Sequence, residues 1–178
     1  VTYPIANTDM DANPNYLDID SDADGIVDTI EAQPTDSFVP PTNTFTENGV
    51  DTAYPNGLTP VDTEGDLAFD YIDINSDDDI RDDRIEGWDF DNDDTPETTA
   101  SGLDADSDGL DDGYDTDNSR VNPTNGQLPT DFPNVDYTTT LERDWREIMA
   151  IVVLLDGITV VEGNDLQFIF SLVRFNDN

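Results

Sequence analysis

The segment Tyr16-Leu17-Asp18-Ile19-Asp20-Ser21-Asp22-Ala23-Asp24 recurs 55 residues later as Tyr71-Ile72-Asp73-Ile74-Asn75-Ser76-Asp77-Asp78-Asp79. The register holds without a gap through Ile30-Glu31 and Ile85-Glu86. An ungapped match of this length marks a repeated structural unit. Within each copy the oxygen-bearing side chains follow a finer spacing. From Asp20 they fall at positions 1, 3, 5, 9 and 12 of a twelve-residue loop: Asp20, Asp22, Asp24, Asp28 and Glu31, with Gly25 at position 6. That is the spacing of a calcium loop, D-x-D-x-D-G-x-x-D-x-x-E. Calcium takes six to eight oxygens, and a tightly coiled loop turns alternate side chains inward to supply them. The glycine permits the sharp turn, and the last acid closes the cage. The carbonyl of position 7 adds a ligand, here from Ile26 and, in a later loop, Leu110.

The template fits four more stretches. Asn75, Asp77, Asp79, Asp83 and Glu86 repeat it with Ile80 in place of the glycine. Asp104, Asp106, Asp108, Asp112 and Asp115 repeat it with Gly109 in place. Just upstream of the two copies, Asn7, Asp9, Asp11, Asn15 and Asp18 form one loop, and Asp62, Glu64, Asp66, Asp70 and Asp73 another. Two partial loops remain: Asp89, Asp91, Asp93 and Glu97, without an acid at position 12, and Asp136, Asp144 and Glu147, which keep only the outer ligands. Five full loops in one register imply about five or more calcium ions. Ala12, Leu67 and Ile80 at the glycine position predict weaker or differently turned sites, because a Cβ resists positive φ. Position 11 is apolar or aromatic in all five full loops (Leu17, Ile30, Ile72, Ile85, Tyr114), and position 10 is aromatic at Tyr16, Tyr71 and Trp145. These side chains predict a thin core between neighbouring loops.

Composition narrows the function classes. There are 43 acidic residues against 6 basic ones, a formal charge of −37, with no histidine and no cysteine. All the basic residues are arginine. Ser-His-Asp, Cys-His and Schiff-base mechanisms lack their residues, and so does an ordinary zinc site. So negative a surface repels nucleic acid and anionic membranes. No disulfide can hold the fold, so cations are the expected staple: a self-repelling chain without metal, an ordered one with it. Acids are too abundant for any carboxylate pair to indicate catalysis, and the chain is read as a non-enzyme.

The loops leave no room for the flanking helices of an EF-hand. Loop 7–18 is separated from loop 20–31 by Ile19 alone, and loop 62–73 from loop 75–86 by Ile74 alone. Back-to-back loops of this kind resemble thrombospondin type 3 repeats, over roughly 7–31, 62–93 and 104–115, with a degenerate copy at 136–147. The absence of cysteine departs from the animal repeats. The stretches PNYLDIDSDADGIVDTIEA, VDTEGDLAFDYIDINSDDD and SGLDADSDGLDDGYD are similar to segments of giant surface adhesins of gliding Bacteroidetes, of the SprB type. The resemblance implies export by the type 9 secretion system and an extracellular or cell-surface location.

The expected architecture is therefore a mostly irregular run of tandem loops with little helix over 1–147. The sequence 33–60, rich in proline, threonine and asparagine, is either a flexible linker or an ordered segment packed along the loops. Composition changes near residue 148. Ile148–Leu155, Ile158–Val161 and the alternation through Leu166, Phe168, Phe170 and Leu172 read as strands separated by turns. This 148–178 segment looks like the start of an Ig-like or Calx-β sandwich, or an element completed by strand exchange with a partner. None of it is long enough to span a bilayer, and the chain is read as a piece of something longer. The functional expectation is a calcium-rigidified structural or stalk module of a large secreted adhesin, in contact with neighbouring domains of the same chain. The alternative is a calcium-dependent module that recognises a surface glycan or protein, with Trp88 and Trp145 as stacking candidates. Filament formation or other self-association is left open.

Overall fold

Each of the five full loops is closed by the same backbone bond. The N–H of position 9 donates to the carbonyl of the residue just before position 1: Asn15 to Ala6 (3.1 Å), Asp28 to Ile19 (2.8 Å), Asp70 to Val61 (3.0 Å), Asp83 to Ile74 (3.0 Å) and Asp112 to Leu103 (2.8 Å). The partial loop at 89 closes in the same way, Glu97 to Trp88 (2.8 Å). The computed structural model describes residues 4–136 and 140–148, so the strands expected beyond 148 lie outside the described residues. What it describes is mostly irregular, as one-residue spacers between loops require. Helix is confined to single turns at positions 9–12: α1 (Asp28–Glu31), α2 (Asp83–Glu86), and the 3-10 turns Asn15–Leu17, Asp70–Ile72 and Asp144–Arg146. Two more 3-10 turns, Thr35–Ser37 and Pro129–Asp131, lie between loops. No helix among the described residues is long and apolar enough to cross a membrane.

The tight turn has two left-handed positions rather than one. Position 6 has positive φ at Gly25 (92°), Gly109 (100°) and Leu67 (86°). Position 4 is also left-handed, at Met10, Ala23, Gly65, Asp78, Asn92 and Ser107. Ala12 and Ile80 stay out of the left-handed region, so their loops turn without it; Leu67 accepts the strain that a Cβ brings there. Gly25 has a second reason to be glycine: a Cβ would lie 2.7 Å from the Tyr114 ring.

The core is small and brings three regions together. Ile26, Val27 and Ile30 from loop 20–31 pack with Leu110 and Tyr114 from loop 104–115, and with Phe132 and Trp145. Trp88 lies on its edge, 4.9 Å from Tyr114 and 5.5 Å from Phe132 between ring centroids. The expected thin core thus holds at Ile30, Tyr114 and Trp145, whereas Tyr16 and Leu17 of the first loop face solvent.

Polar ties from distant residues complete the assembly. Gln127 donates to Gly25 O (3.0 Å) and accepts the Val27 N–H (3.2 Å), clamping the loop it faces. Ile19 N–H donates to Asp108 O (3.0 Å). The buried Arg146 guanidinium donates to the carbonyls of Glu31 and Gln33 (2.7 Å each) and pairs with Asp70 (3.1 Å). In this way α1 meets the turn Asp70–Ile72, and α2 meets Asp144–Arg146. Residues 33–60 are ordered against the first copy. Gln33 donates to Thr29 O (2.8 Å), Tyr54 donates its hydroxyl to Val39 O (2.6 Å), and Asp51 caps the Thr42 and Asn43 amides.

Candidate metal centres

Within a loop the acids divide into those that hold the backbone and those left with nothing to bond. Position 1 accepts amides across the turn: Asp20 takes Asp24 N–H (3.2 Å) and Gly25 N–H (3.0 Å), and Asp89 takes Asp93 and Asp94. Position 5 accepts the amide of position 7 at Asp24, Asp66, Asp79 and Asp108. Position 9 forms a clasp to position 2. Asp28 accepts both the amide and the hydroxyl of Ser21 (2.8 Å each), Asp70 does the same with Thr63, and Asp83 takes the Ser76 amide (3.0 Å). Asn15, Glu97 and Asp112 clasp Thr8, Phe90 and Ala105 in turn. The position-9 residues, expected from spacing as ligands, therefore carry a structural duty as well. Serine or threonine at position 2 (Thr8, Ser21, Thr63, Ser76) was the signal for it.

Apart from Ser76 Oγ and Asn134 Oδ1, the buried oxygens without any hydrogen-bond partner fall on ligand positions other than 9. They include position 12 at Asp18, Glu31, Glu86, Asp115 and Glu147; position 3 at Asp22, Glu64 and Asp106; position 1 at Asn7 and Asn75; and position 5 at Asp24. A buried polar group without a partner costs several times what an ordinary hydrogen bond contributes, so each such oxygen needs a ligand to satisfy it. The carboxylates are also grouped. Asp9, Asp11 and Asp18; Asp20, Asp22 and Asp24; Asp62, Glu64 and Asp66; and Asp77, Asp79 and Glu86 each bring one oxygen apiece within 4.8 Å of the others. Two calcium–oxygen bonds end to end span about 4.8 Å, so one ion can touch all three oxygens of a group. A further grouping, Asp24 with Glu31 and Asp83, crosses between the two copies.

Crowded, buried carboxyls resist ionisation. Burial pushes Asp18 up to about 7, with the charges of Asp11 and Asp9 adding to it. Burial likewise raises Asp24 to about 7, with Asp28 contributing. Asp20, Asp22, Glu31 and Asp83 all lie well above the usual carboxylate range, first through burial and then through neighbouring acids. The all-oxygen donor set of these groups matches a hard divalent cation, and the chain has no histidine or cysteine to favour a softer one.

Compared with models of known families, with curated proteins and with solved structures, the chain has no match. The site therefore has to be read from its own geometry.

Besides Ile80 in place of Gly25, the second copy differs from the first at position 7. Arg81, at position 7 of loop 75–86, pairs with Glu86 (2.9 Å) and with Asp136 of the degenerate loop. A cavity of about 30 Å³, the size of a single water or ion, lies between these two loops, lined by Asp77, Glu86, Asp144 and Glu147 among others. Asp144 there accepts the Val135 and Asp136 amides, as a displaced form of the position-9 clasp. Burial, then Asp79 and Asp77, push Glu86 up to about 9; one arginine does not offset three close acids. In the first copy and in loop 104–115, position 7 is Ile26 and Leu110, whose side chains are wholly buried in the core. Loop 89–100 is the most open: Asp91 and Asp93 face solvent, although the backbone closure is intact. The tryptophans considered for sugar stacking turn inward. Trp145 is fully buried and Trp88 donates its indole N–H to Asp24 O (3.2 Å).

Proposed function

We propose that the chain is a calcium-stapled structural module, a stalk segment of a large secreted or cell-surface adhesin. The observation that carries this reading is the position of the unpartnered buried oxygens. Apart from Ser76 Oγ and Asn134 Oδ1, they fall on the metal-ligand positions 1, 3, 5 and 12 of successive loops, and position 9 is absent among them. Chance burial of acids would not sort by loop position. The small core supports it too: among the described residues, seven buried apolar side chains hold three regions together, in a chain with a formal charge of −37. Five ions would add about ten positive charges and leave a soluble, acidic rod. The carboxylates bind metal in this reading and perform no catalysis. Millimolar calcium outside cells suits loops of the affinity common to extracellular modules, about 10⁻⁴–10⁻³ M. Resemblance to the thrombospondin type 3-like repeats of bacterial adhesins supplies the setting.

Small-angle scattering and far-UV circular dichroism in calcium, and then in excess EDTA, test the reading. The chain should expand on chelation and recover with calcium but poorly with magnesium, which demands near-octahedral geometry at shorter distances. A profile indifferent to EDTA would remove metal as the staple.

A further inference from the structure

We propose that Asp24 and Glu31 of the first copy, together with Asp83 of the second, hold one divalent cation between the copies. This rests on the reading of the loops as calcium sites and adds a site that no single loop contains. The three residues belong to loops 55 residues apart in register, yet each brings an oxygen within 4.8 Å of the others. All are sequestered: Glu31 and Asp83 are 0 % exposed and Asp24 is 1 % exposed.

Glu31 supplies the independent sign of a ligand. Both of its carboxylate oxygens are buried and make no hydrogen bond, and Asp24 Oδ2 is in the same condition. Asp24 Oδ1 is spent on the Ile26 amide (2.7 Å), which leaves Oδ2 for another partner. Arg146 does not provide it. Its guanidinium is committed to Asp70 and to the carbonyls of Glu31 and Gln33. Among the described residues no arginine pairs with Asp24, Glu31 or Asp83. Carboxylates gathered in a dry interior repel one another strongly, and a shared divalent ion is the chemistry that turns that repulsion into attraction. Asp24 also belongs to the group with Asp20 and Asp22, so it bridges this ion and that of its own loop. Asp83 keeps its clasp on Ser76 while ligating, since each carboxylate oxygen has two lone pairs. The consequence is mechanical: the ion fastens the first copy to the second, where spacing alone shows only independent loops.

Native mass spectrometry of the full chain in calcium counts the ions. Glu31 and Asp83 are also ligand positions of their own loops, so the double variant decides: Glu31→Gln and Asp83→Asn should each lower the count by one, and the two together also by one, because both act at one site. Asp51→Asn is the control, because Asp51 is a buried acid outside every loop that caps the Thr42 and Asn43 amides; its count should equal the wild type. Terbium luminescence gives a second readout, since Trp88 touches Asp24 and would sensitise an ion there; Asp83→Asn should dim it. If the wild type takes up no calcium or terbium, the loop reading and this site fall together. If the wild type binds but Asp83→Asn loses no ion, the inter-copy site alone is overturned. Loss of an ion in Asp51→Asn as well as Asp83→Asn would assign the effect to the removal of any buried acid and overturn it too.

Discussion

Loop 20–31 and loop 75–86 share a register but balance their charge in opposite ways. The first is sealed. Gly25 lies under Tyr114, Gln127 clamps Gly25 and Val27, Ile26 is fully buried, and Glu31 has no positive partner. The second is open. Ile80 is 96 % exposed at the glycine position, and Arg81 replaces the buried position-7 residue with a cation that reaches Glu86. One spacing therefore supports a loop whose buried acids pair with no arginine among the described residues and a loop that carries a cation of its own. The difference lies in two residues, at positions 6 and 7, that the acidic register does not constrain.

The largest effect that would break this comparison is on chelation. With EDTA, amide exchange in 20–31 should accelerate before that in 75–86. Hydrogen exchange read by mass spectrometry checks the order; simultaneous loss would mean that the two copies open as one unit. A pH titration of the metal-free chain is next. Asp18 and Asp24 titrate near 7 in the folded state and near 3.9 when unfolded. Their folded form binds more protons between those values, so this contribution to stability is fully present at acid pH and is lost as pH rises through about 7. Urea midpoints in EDTA should fall from pH 5 to pH 7.5. In calcium the trend should reverse, because ligands must release protons to bind the ion.

Single substitutions sharpen the contrast further. Gly25→Val meets both a left-handed φ and the Tyr114 ring, and should cost about 3 kcal/mol. At the same loop position in the second copy, Ile80→Thr should stay within about 0.5 kcal/mol. Paired thermal melts in calcium would show it. Arg81→Met removes the built-in cation from a half-buried pair and should cost roughly 2 kcal/mol in EDTA, with the deficit shrinking in calcium. An equal deficit in both conditions would deny that Arg81 stands in for metal. Leu67→Gly runs in the opposite direction: it relieves a left-handed leucine and should stabilise by up to about 1 kcal/mol.

Much of this was legible in the residues, because a twelve-residue ligand spacing fixes which side chains can turn inward together. The irregular backbone with little helix followed from the one-residue spacers. The left-handed turn at position 4 was hidden, since Met10, Ala23, Asp78, Asn92 and Ser107 share no chemistry; the loop's closure imposes it. The deviation at Ile80 was visible as a residue, but its outcome, a turn that avoids positive φ, was not. Contacts over long separations left no trace in spacing. Gln127 on Gly25, Arg146 on Glu31, and Asp83 beside Asp24 depend on how loops pack side by side, which neither period nor propensity encodes.

The shared closure from position 9 to the residue before position 1 has a kinetic consequence. Each such bond joins groups nine residues apart, and loops of about ten residues close in roughly 10–100 ns. The ties made by Gln127 and Arg146 span 100 residues or more, and contacts of that reach set the slow step of folding. The loops are therefore free to form one after another as the chain lengthens. The lock on the first copy comes only when the residues around 127 and 146 have arrived.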